Sequence, residues 1–267
     1  MKINRLLITG AAGGLGSVLR KNLAGDYPIL RLSSRKGLEP AAKHEEIVHC
    51  DLADAPAVEK LLEGVDAVVH LGGQSVEADW ETVHRSNILG AYYLWEAARK
   101  AGTRRIVFAS SNHAIGFHRR TTRLDETSPA RPDSFYGLSK AFGEDLGRLY
   151  ADKYGISCMC IRIGSSFPEP TDRRFLSTWM SYRDFTQLIR VSLSADYHYE
   201  IVYGVSDNTR SWWDNRNAYR LGFKSEDNAE DWAAAVEHKV SDDPVTELFQ
   251  GGGFAGKGFA GDVDKID

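Results

Sequence analysis

The sequence predicts an α/β fold, a Rossmann-type doubly wound parallel sheet with a small C-terminal substrate lobe. Three observations predict it. Short apolar runs alternate with helix-spaced segments at intervals of roughly 20–40 residues through the first 165 positions. A glycine-rich turn follows the first apolar run directly. Several later runs end in glycine or small polar residues, and sheets of this kind bind ligands at the carboxyl ends of their strands.

The buried strands read as "RLLIT" (5–9), "PILRL" (28–32), "EIVHC" (46–50), "AVVHL" (67–71), "RIVFAS" (105–110) and "SCMCIRI" (157–163). Helical spacing fills 14–24, 55–63, 80–101 and 135–154. Strands alternating with helices argue for a parallel sheet covered on both faces. After Gly164 the alternation breaks at Pro168 and Pro170, and a helix-like stretch (172–194) and aromatic-rich sequence follow. The chain therefore divides into a nucleotide-binding region carrying the catalytic residues, 1–165, and a mostly substrate-binding lobe with a tail, 166–267. The tail "QGGGFAGKGFAGD" (250–262) reads as a flexible end, with a partner-subunit contact through Phe254 or Phe259 as the alternative.

Composition narrows the function classes. Lys and Arg number 33 against 37 Asp and Glu, a net charge of −4, so nothing global points to nucleic acid or an anionic membrane. No apolar run reaches the ~18 residues a bilayer span needs. The start is too short and too quickly glycine-rich for a signal peptide. Three cysteines are too few for a disulfide framework, so a reduced, cytoplasmic protein is expected. The histidines and cysteines show no zinc-ligand spacing, and no metal is expected.

In "ITGAAGGLGS", Gly10, Gly13 and Gly16 follow the first strand. Glycine there permits a tight turn, close approach to a pyrophosphate and close helix–strand packing, and the following helix offers free N–H groups. Asp51, in "HCDLAD", ends the third strand; it can accept from an adenine amino group or cap the next helix. About 20 residues past the turn, an NAD site usually places an acid on the ribose. This chain reads "RLSSRKG" (31–37) instead, offering Ser33, Ser34, Arg35 and Lys36.

The reaction chemistry lies in "YGLSK". Tyr136 and Lys140 stand four apart on a predicted helix, hence on one face. A phenol with pKa ~10 is a poor base near neutrality, and a neighbouring ammonium favours its phenolate. Tyr136 can then take a proton from a substrate hydroxyl while hydride leaves carbon. Ser111, at the end of the fifth strand in "ASSNH", can hydrogen-bond the reacting oxygen. His113 has a packed or capping role as its alternative, and His70 reads as structural. The basic run "FHRRTTR" (117–123), with Arg119, Arg120 and Arg123, reads as a solvated loop, and "SWWDN" (211–215) as packing.

The glycine turn, "CDLAD", "HLGG", "ASSNH", "YGLSK" and "RIGSSFPEP" together resemble the extended short-chain dehydrogenase/reductase family, in order and spacing along the whole chain. Within it the likeness is to bacterial uronate dehydrogenases, which carry similar "FASSNHTIG", "RPDSLYGLSK", "RIGSCFPEP", "LSTW", "WWDN" and terminal "QGG" stretches. The resemblance implies NAD-dependent, metal-free oxidation of the anomeric carbon of a uronic acid to a lactone, in an enzyme that self-associates. It implies that Tyr136 is the base, Lys140 its modulator and Ser111 the group polarising the reacting oxygen. It assigns Gly10, Gly13, Gly14, Leu15, Gly16, Ser34, Arg35, Asp51 and Leu52 to the cofactor. Leu71, Gly72, Gly73, Asn87, Ser110 and Ile163 join them, with Tyr136 and Lys140. The sugar falls to Ser75, Ser111, Asn112, His113, Tyr136 and Ser165, with Arg174 clasping the C6 anion; a guanidinium suits that role because it binds carboxylates through paired, charge-assisted hydrogen bonds.

The departures from the family are informative. Ser34 stands where these enzymes usually carry Asp. That loss removes the repulsion of a 2′-phosphate, and Arg35 could meet one, so dual NAD/NADP use is expected. Gln74 replaces Val or Ile, and Arg173 precedes Arg174. These added donors open the alternative of a 6-sulfonated hexose such as sulfoquinovose, or a 6-phosphorylated hexose, in the same reaction. A nucleotide-sugar epimerase or dehydratase and a non-catalytic NADP sensor are the remaining alternatives; the intact Tyr136–Lys140 pair argues against the sensor.

Overall fold

The computed structural model describes residues 2–266 other than Lys36 and Glu39, so Lys36 of the "RLSSRKG" stretch lies outside the described residues. Seven strands form one sheet: β1 (Arg5–Thr9), β2 (Ile29–Ser34), β3 (Glu45–His49), β4 (Ala67–His70), β5 (Arg105–Ser111), β6 (Ser157–Ile163) and β7 (Tyr199–Gly204). Their order is β3-β2-β1-β4-β5-β6-β7, and every pairing is parallel. The direction of winding reverses between β1 and β4, which opens a crevice beyond their carboxyl ends.

Six of the strands match the apolar runs to within a residue or two. β7 does not; it lies in the aromatic-rich stretch that follows residue 194. Glu200 and partly exposed aromatics dilute its apolar signal, and only its second half is buried, against β6. Part of the chain after 165 thus joins the sheet, and the rest, around 166–181 and 205–266, forms the lobe.

The helices up to residue 194 are α1 (Gly14–Asn22), α2 (Ala55–Leu61), α3 (Trp80–Val83), α4 (Gly90–Ala101), α5 (Phe135–Tyr154), α6 (Phe175–Thr178) and α7 (Tyr182–Ser194), with only short helical turns beyond β7. The expected helix over 80–101 is continuous, but its middle, His84–Leu89, is wound as a π-helix. The expected helix over 172–194 is two pieces. Trp179 turns extended, at φ −66° and ψ 140°, because it pairs with Ser165 as a short bridge of strand, Ser165 N–H donating to Thr178 O and Met180 N–H to Ser165 O; α7 then restarts under the Ser181 hydroxyl, which accepts from Asp184 N–H.

Alternate strand residues bury in opposite faces. Leu6, Ile8, Val69, Val107 and Ile161 pack under α1 and α7 with Leu19, Phe185 and Leu188. Leu7, Val68, Ile106, Phe108 and Cys160 pack under α2, α4 and α5 with Leu61, Trp95 and Leu146. This two-sided burial explains why the strands read as continuous apolar runs rather than alternating ones.

The tail and the basic run depart from expectation together. Gln250 is fully buried and Gly251 and Gly252 are buried beside it. Its side chain donates to Arg119 O (3.1 Å) and Thr122 O (2.8 Å) and accepts from Trp213 Nε1 (2.8 Å). Arg119 donates to Val263 O and Ile266 O, and Arg120 to Thr246 O, Phe249 O and Glu247. Residues 250–256 form a packed strap, not a flexible end, while 257–262 is mostly exposed. Arg119 and Arg120 anchor the chain on either side of it and are not solvated charges.

Candidate active site

The cleft beyond β1 is built first by glycines. Gly10 adopts φ +68°, and a Cβ there would lie 2.8 Å from the Leu71 backbone. A Cβ at Gly16 would lie 2.3 Å from Gly10 O, so only glycine lets α1 meet β1 this closely. Gly13 N–H donates to Gly10 O (2.9 Å), and Gly13 precedes Gly14 and Leu15, which begin α1. The turn, Ser34, Arg35, Asp51 and Leu52 border one cleft of about 310 Å³, closed opposite by Leu71, Gly72, Gly73 and Ser75. A cradle shaped by close glycine backbones at a helix N-terminus, beside this cleft, fits a dinucleotide.

Asp51 sits in the cleft with its carboxylate accepting from Ala53 N–H (3.0 Å) and paired with Arg85 (2.7 Å). The helix cap is a different residue, Asp54, which accepts from Ala57 N–H. Asn87 lies within the π-helical turn, buried. Its amide accepts from Gln74 N–H (2.7 Å) and donates to Gln74 O (3.0 Å) and Ser139 Oγ (2.9 Å). Asn87 therefore holds the loop after β4 to α5, and the backbone of Gln74 is fixed by it. The Ser110 hydroxyl faces away from the cleft and donates to Glu144 (2.5 Å), which carries a bidentate, fully buried pair with Arg162.

Tyr136 and Lys140 share one face of α5, under the end of β5. The Lys140 ammonium donates to Ala109 O (2.8 Å) and lies 5.4 Å from the Tyr136 ring centre. Burial pulls it down to about 8, with the Glu144 carboxylate opposing. Burial pushes the Tyr136 phenol up to about 12; a hydrogen bond from Ser111 pulls it down and the Asp133 charge pushes it up. Burial, rather than the ammonium effect expected from the sequence, dominates the Tyr136 phenol when only the protein surrounds it. His70 reads as expected: it is fully enclosed, its Nδ1 bonds Thr9 Oγ (2.8 Å), and burial holds it neutral with a pKa near 3.

A second polar cluster gathers around Arg174. Its Nε and Nη2 donate to Gln250 O (2.9 and 2.8 Å) and its Nη1 to Ser165 Oγ (3.1 Å). The Asn112 amide donates to Ile163 O (3.1 Å) and accepts from Arg174 Nη2 (2.6 Å). Burial pulls the guanidinium down to about 10. Among the described residues no carboxylate pairs with it. His113 bonds Asp133 through Nδ1 (2.7 Å), and its ring centre lies 5.8 Å from that of Tyr136. Arg173 is not brought to this cluster: its guanidinium pairs with Glu247 (2.7 Å) and is about half exposed.

The fold and this arrangement meet known proteins at the family level. Residues 6–217 match the NAD dependent epimerase/dehydratase family. The chain belongs to that family. Among its relatives is the uronate dehydrogenase of Pseudomonas putida, 53% identical over 94% of this chain and 96% of that one. A crystal structure of glucuronic acid dehydrogenase from Chromohalobacter salexigens is 49% identical, with a TM-score of 0.91 over 98% of this chain and 99% of that one. The structure of uronate dehydrogenase from Agrobacterium tumefaciens, a Y136A mutant complexed with NAD, is 48% identical with a TM-score of 0.90 over 94% and 97%.

In this family member three further residues shape the site, and the sequence reading did not single out their roles. Glu77 accepts the backbone N–H groups of Phe135 (3.2 Å) and Tyr136 (2.7 Å), tying the loop after β4 to the start of α5. Asp133 holds His113. Gln250 holds Arg174. Phe254, weighed only as a subunit contact, stacks on His113 with ring centres 3.9 Å apart. Asp133 left a local trace in "PDS" just before the helix carrying Tyr136, and Gln250 in the terminal "QGG"; the roles of Glu77, Gln250 and Phe254 act across long sequence separations.

Proposed function

We propose that this protein is an NAD(P)-dependent sugar 1-dehydrogenase that oxidises C1 of a hexuronic acid, such as glucuronate or galacturonate, to the lactone. The observation that carries the reading is Arg174. A buried guanidinium held only by neutral acceptors is a costly arrangement unless an anion completes it. It lies one short hydrogen-bond path from the Tyr136–Ser111–Lys140 group through Asn112 and the end of β5, and the relatives named above act on uronates.

In this reading Gly10, Gly13, Gly14 and the start of α1 hold the pyrophosphate, and Ser34, Arg35, Asp51 and Leu52 border the adenosine. NAD, when bound, supplies the hydride acceptor, and its pyridinium charge opposes the burial that raises the Tyr136 pKa. Arg174 receives the C6 carboxylate, with Ser165 and Asn112 fixing the guanidinium plane. Ser111 donates to the reacting oxygen and Tyr136 removes the proton from the C1 hydroxyl. Lys140, one turn along, stabilises the phenolate. Arg173, turned to Glu247, adds no second cation, which favours a carboxylate over a phosphate at C6.

Ser34 and Arg35 border the cofactor cleft where an acid would exclude a 2′-phosphate, and this supports use of NADP beside NAD. Self-association and a cytoplasmic site belong to the same reading. Exposed Leu138 and Leu149 on α5 and Tyr92 on α4 offer apolar area to a second copy. The three unpaired cysteines suit a reducing compartment.

The test follows reduced-nicotinamide absorbance with glucuronate, galacturonate, sulfoquinovose and glucose 6-phosphate, each with NAD and NADP. Turnover of the uronates alone supports the reading. Turnover only of a sulfonated or phosphorylated sugar replaces the substrate and keeps the chemistry. No turnover, with a cofactor that copurifies, favours an epimerase or dehydratase. An NAD preference as strong as that of an Asp-bearing enzyme would end the dual-cofactor reading.

A further inference from the structure

We propose that Asp133 is a positioning residue that keeps the proton of His113 on Nδ1, so that Nε2 faces the sugar as an acceptor and the substrate hydroxyl opposite it must donate. The proposal rests on the uronate reading of the site.

The hydrogen bonds around His113 run in one direction. Gly137 N–H, at the start of α5, donates to Ser134 Oγ (3.0 Å). Ser134 Oγ then donates to Asp133 Oδ1 (2.7 Å). The remaining carboxylate oxygen, Oδ2, lies 2.7 Å from His113 Nδ1. A backbone N–H only donates and a carboxylate only accepts, so the proton between Oδ2 and the ring belongs to Nδ1. Nothing can take its place. The Asp133 side chain is wholly buried, and a Cβ on Gly116 or Gly251 would lie 1.9 or 1.8 Å from Oδ2. These two glycines close the backbone over the carboxylate.

The ring is held as firmly as the proton. Phe254 stacks on one face at 3.9 Å with planes 15° apart, and Tyr136 meets it edge-on at 5.8 Å. Among the described residues Nε2 has no hydrogen-bond partner, and the side chain keeps a small exposed area beside Tyr136. With Nδ1 protonated, the neutral imidazole presents a lone pair there. A lone pair distinguishes a hydroxyl from groups that only accept, so this edge of the pocket reads donation, whereas Arg174 reads negative charge. The same chain of bonds starts on the helix that carries Tyr136, so the tautomer and the base are set by one piece of backbone.

Two measurements test this. The first is nitrogen-15 NMR of the histidine-labelled protein, with His113 assigned from His113→Gln. The expected result is a protonated Nδ1 and a bare Nε2 at neutral pH; a proton on Nε2 overturns the proposal whatever the substrate. The second is kinetics with deoxy and deoxyfluoro glucuronates at each ring hydroxyl other than C1. At the position facing His113, fluorine is expected to be as poor as hydrogen, each losing about tenfold in kcat/KM. The part of each penalty that depends on His113 should vanish in His113→Ala, which leaves only the electronic effect of fluorine, and shrink toward that limit in Asp133→Asn. A fluoro analogue used much better than the deoxy one would mean that Nε2 donates, and would sink the idea. Failure of every uronate to turn over would instead remove the uronate reading, and the NMR result would still decide the tautomer.

Discussion

Two donors of Arg174 converge on one acceptor, the backbone carbonyl of Gln250, at 2.9 and 2.8 Å. A residue of the lobe just after β6 is thus oriented by a residue 76 positions further on, in the strap. Arg174→Met should lower kcat/KM for a uronate about a hundredfold, because charge-assisted hydrogen bonds to the C6 anion are lost. The effect should fall mostly on KM, and the melting temperature should drop by no more than a few degrees, since an uncompensated buried cation is removed. Arg174→Lys should recover little, because an ammonium cannot reproduce the planar fork. Equal KM values in wild type and Arg174→Met would remove Arg174 from substrate binding.

Gly252 adopts φ +62°, and a Cβ there would lie 2.8 Å from Cδ and Nε of Arg174. Gly252→Ala combines left-handed strain with displacement of the guanidinium. It should cost about 1–2 kcal/mol of stability. It should also raise KM for the anionic sugar while leaving the KM for NAD unchanged. Thermal melts and initial rates on the same preparation check both parts.

Lys140 sits at about 8 in the folded chain, against an ordinary value of 10.5. The unfolded chain therefore holds that proton more tightly. Burying the ammonium weakens the fold most below pH 8, and the penalty is relieved as pH rises from about 8 towards 10.5. Lys140→Met should abolish turnover yet raise stability at pH 7 by on the order of 3 kcal/mol, less whatever the stranded Ala109 carbonyl costs. The stability difference between variant and wild type should narrow as pH increases over that window. A gap that stays constant, measured by chemical denaturation at several pH values, would show that the ammonium is not the source.

Glu77 touches neither the sugar-facing cluster nor the cofactor cleft directly, yet its two carboxylate oxygens take the first N–H groups of α5, including that of Tyr136. Glu77→Ala should free the start of that helix and lower kcat about tenfold, with a smaller change in the KM for NAD. Glu77→Gln keeps one acceptor and should fall between wild type and Glu77→Ala. Equal kcat values in all three would reduce Glu77 to a loop tether.

Tyr136 titrates near 12 when only the protein surrounds it. The apparent pKa in kcat/KM should therefore lie on the alkaline side, with activity rising as pH increases and more phenolate forms. Ser111→Ala removes the hydrogen bond that favours the phenolate, so it should move the rising limb to still higher pH. A profile unchanged in Ser111→Ala would place the titrating group elsewhere.

The sequence alone determined six of the seven strands, the glycine cradle and the Tyr136–Lys140 pair, because each is written locally. β1 and the Gly10–Gly16 turn are contiguous, and Tyr136 and Lys140 are one helical turn apart, so periodicity and short-range sterics reveal them. Only the tertiary structure decided where two neighbouring arginines go. Arg173 and Arg174 are adjacent in sequence, but the fold turns one to Glu247 on the surface and buries the other against Gln250, Ser165 and Asn112. The tail followed the same rule. Its glycines resemble a flexible linker by composition, yet Gly251 and Gly252 are small because Asp133 and Arg174 already occupy the space their side chains would need. β7 escaped for a related reason, since an edge strand with Glu200 gains its order from β6 rather than from its own pattern. Local conformation follows from neighbouring residues, whereas the partners of a buried charge are chosen by packing between segments far apart in the chain.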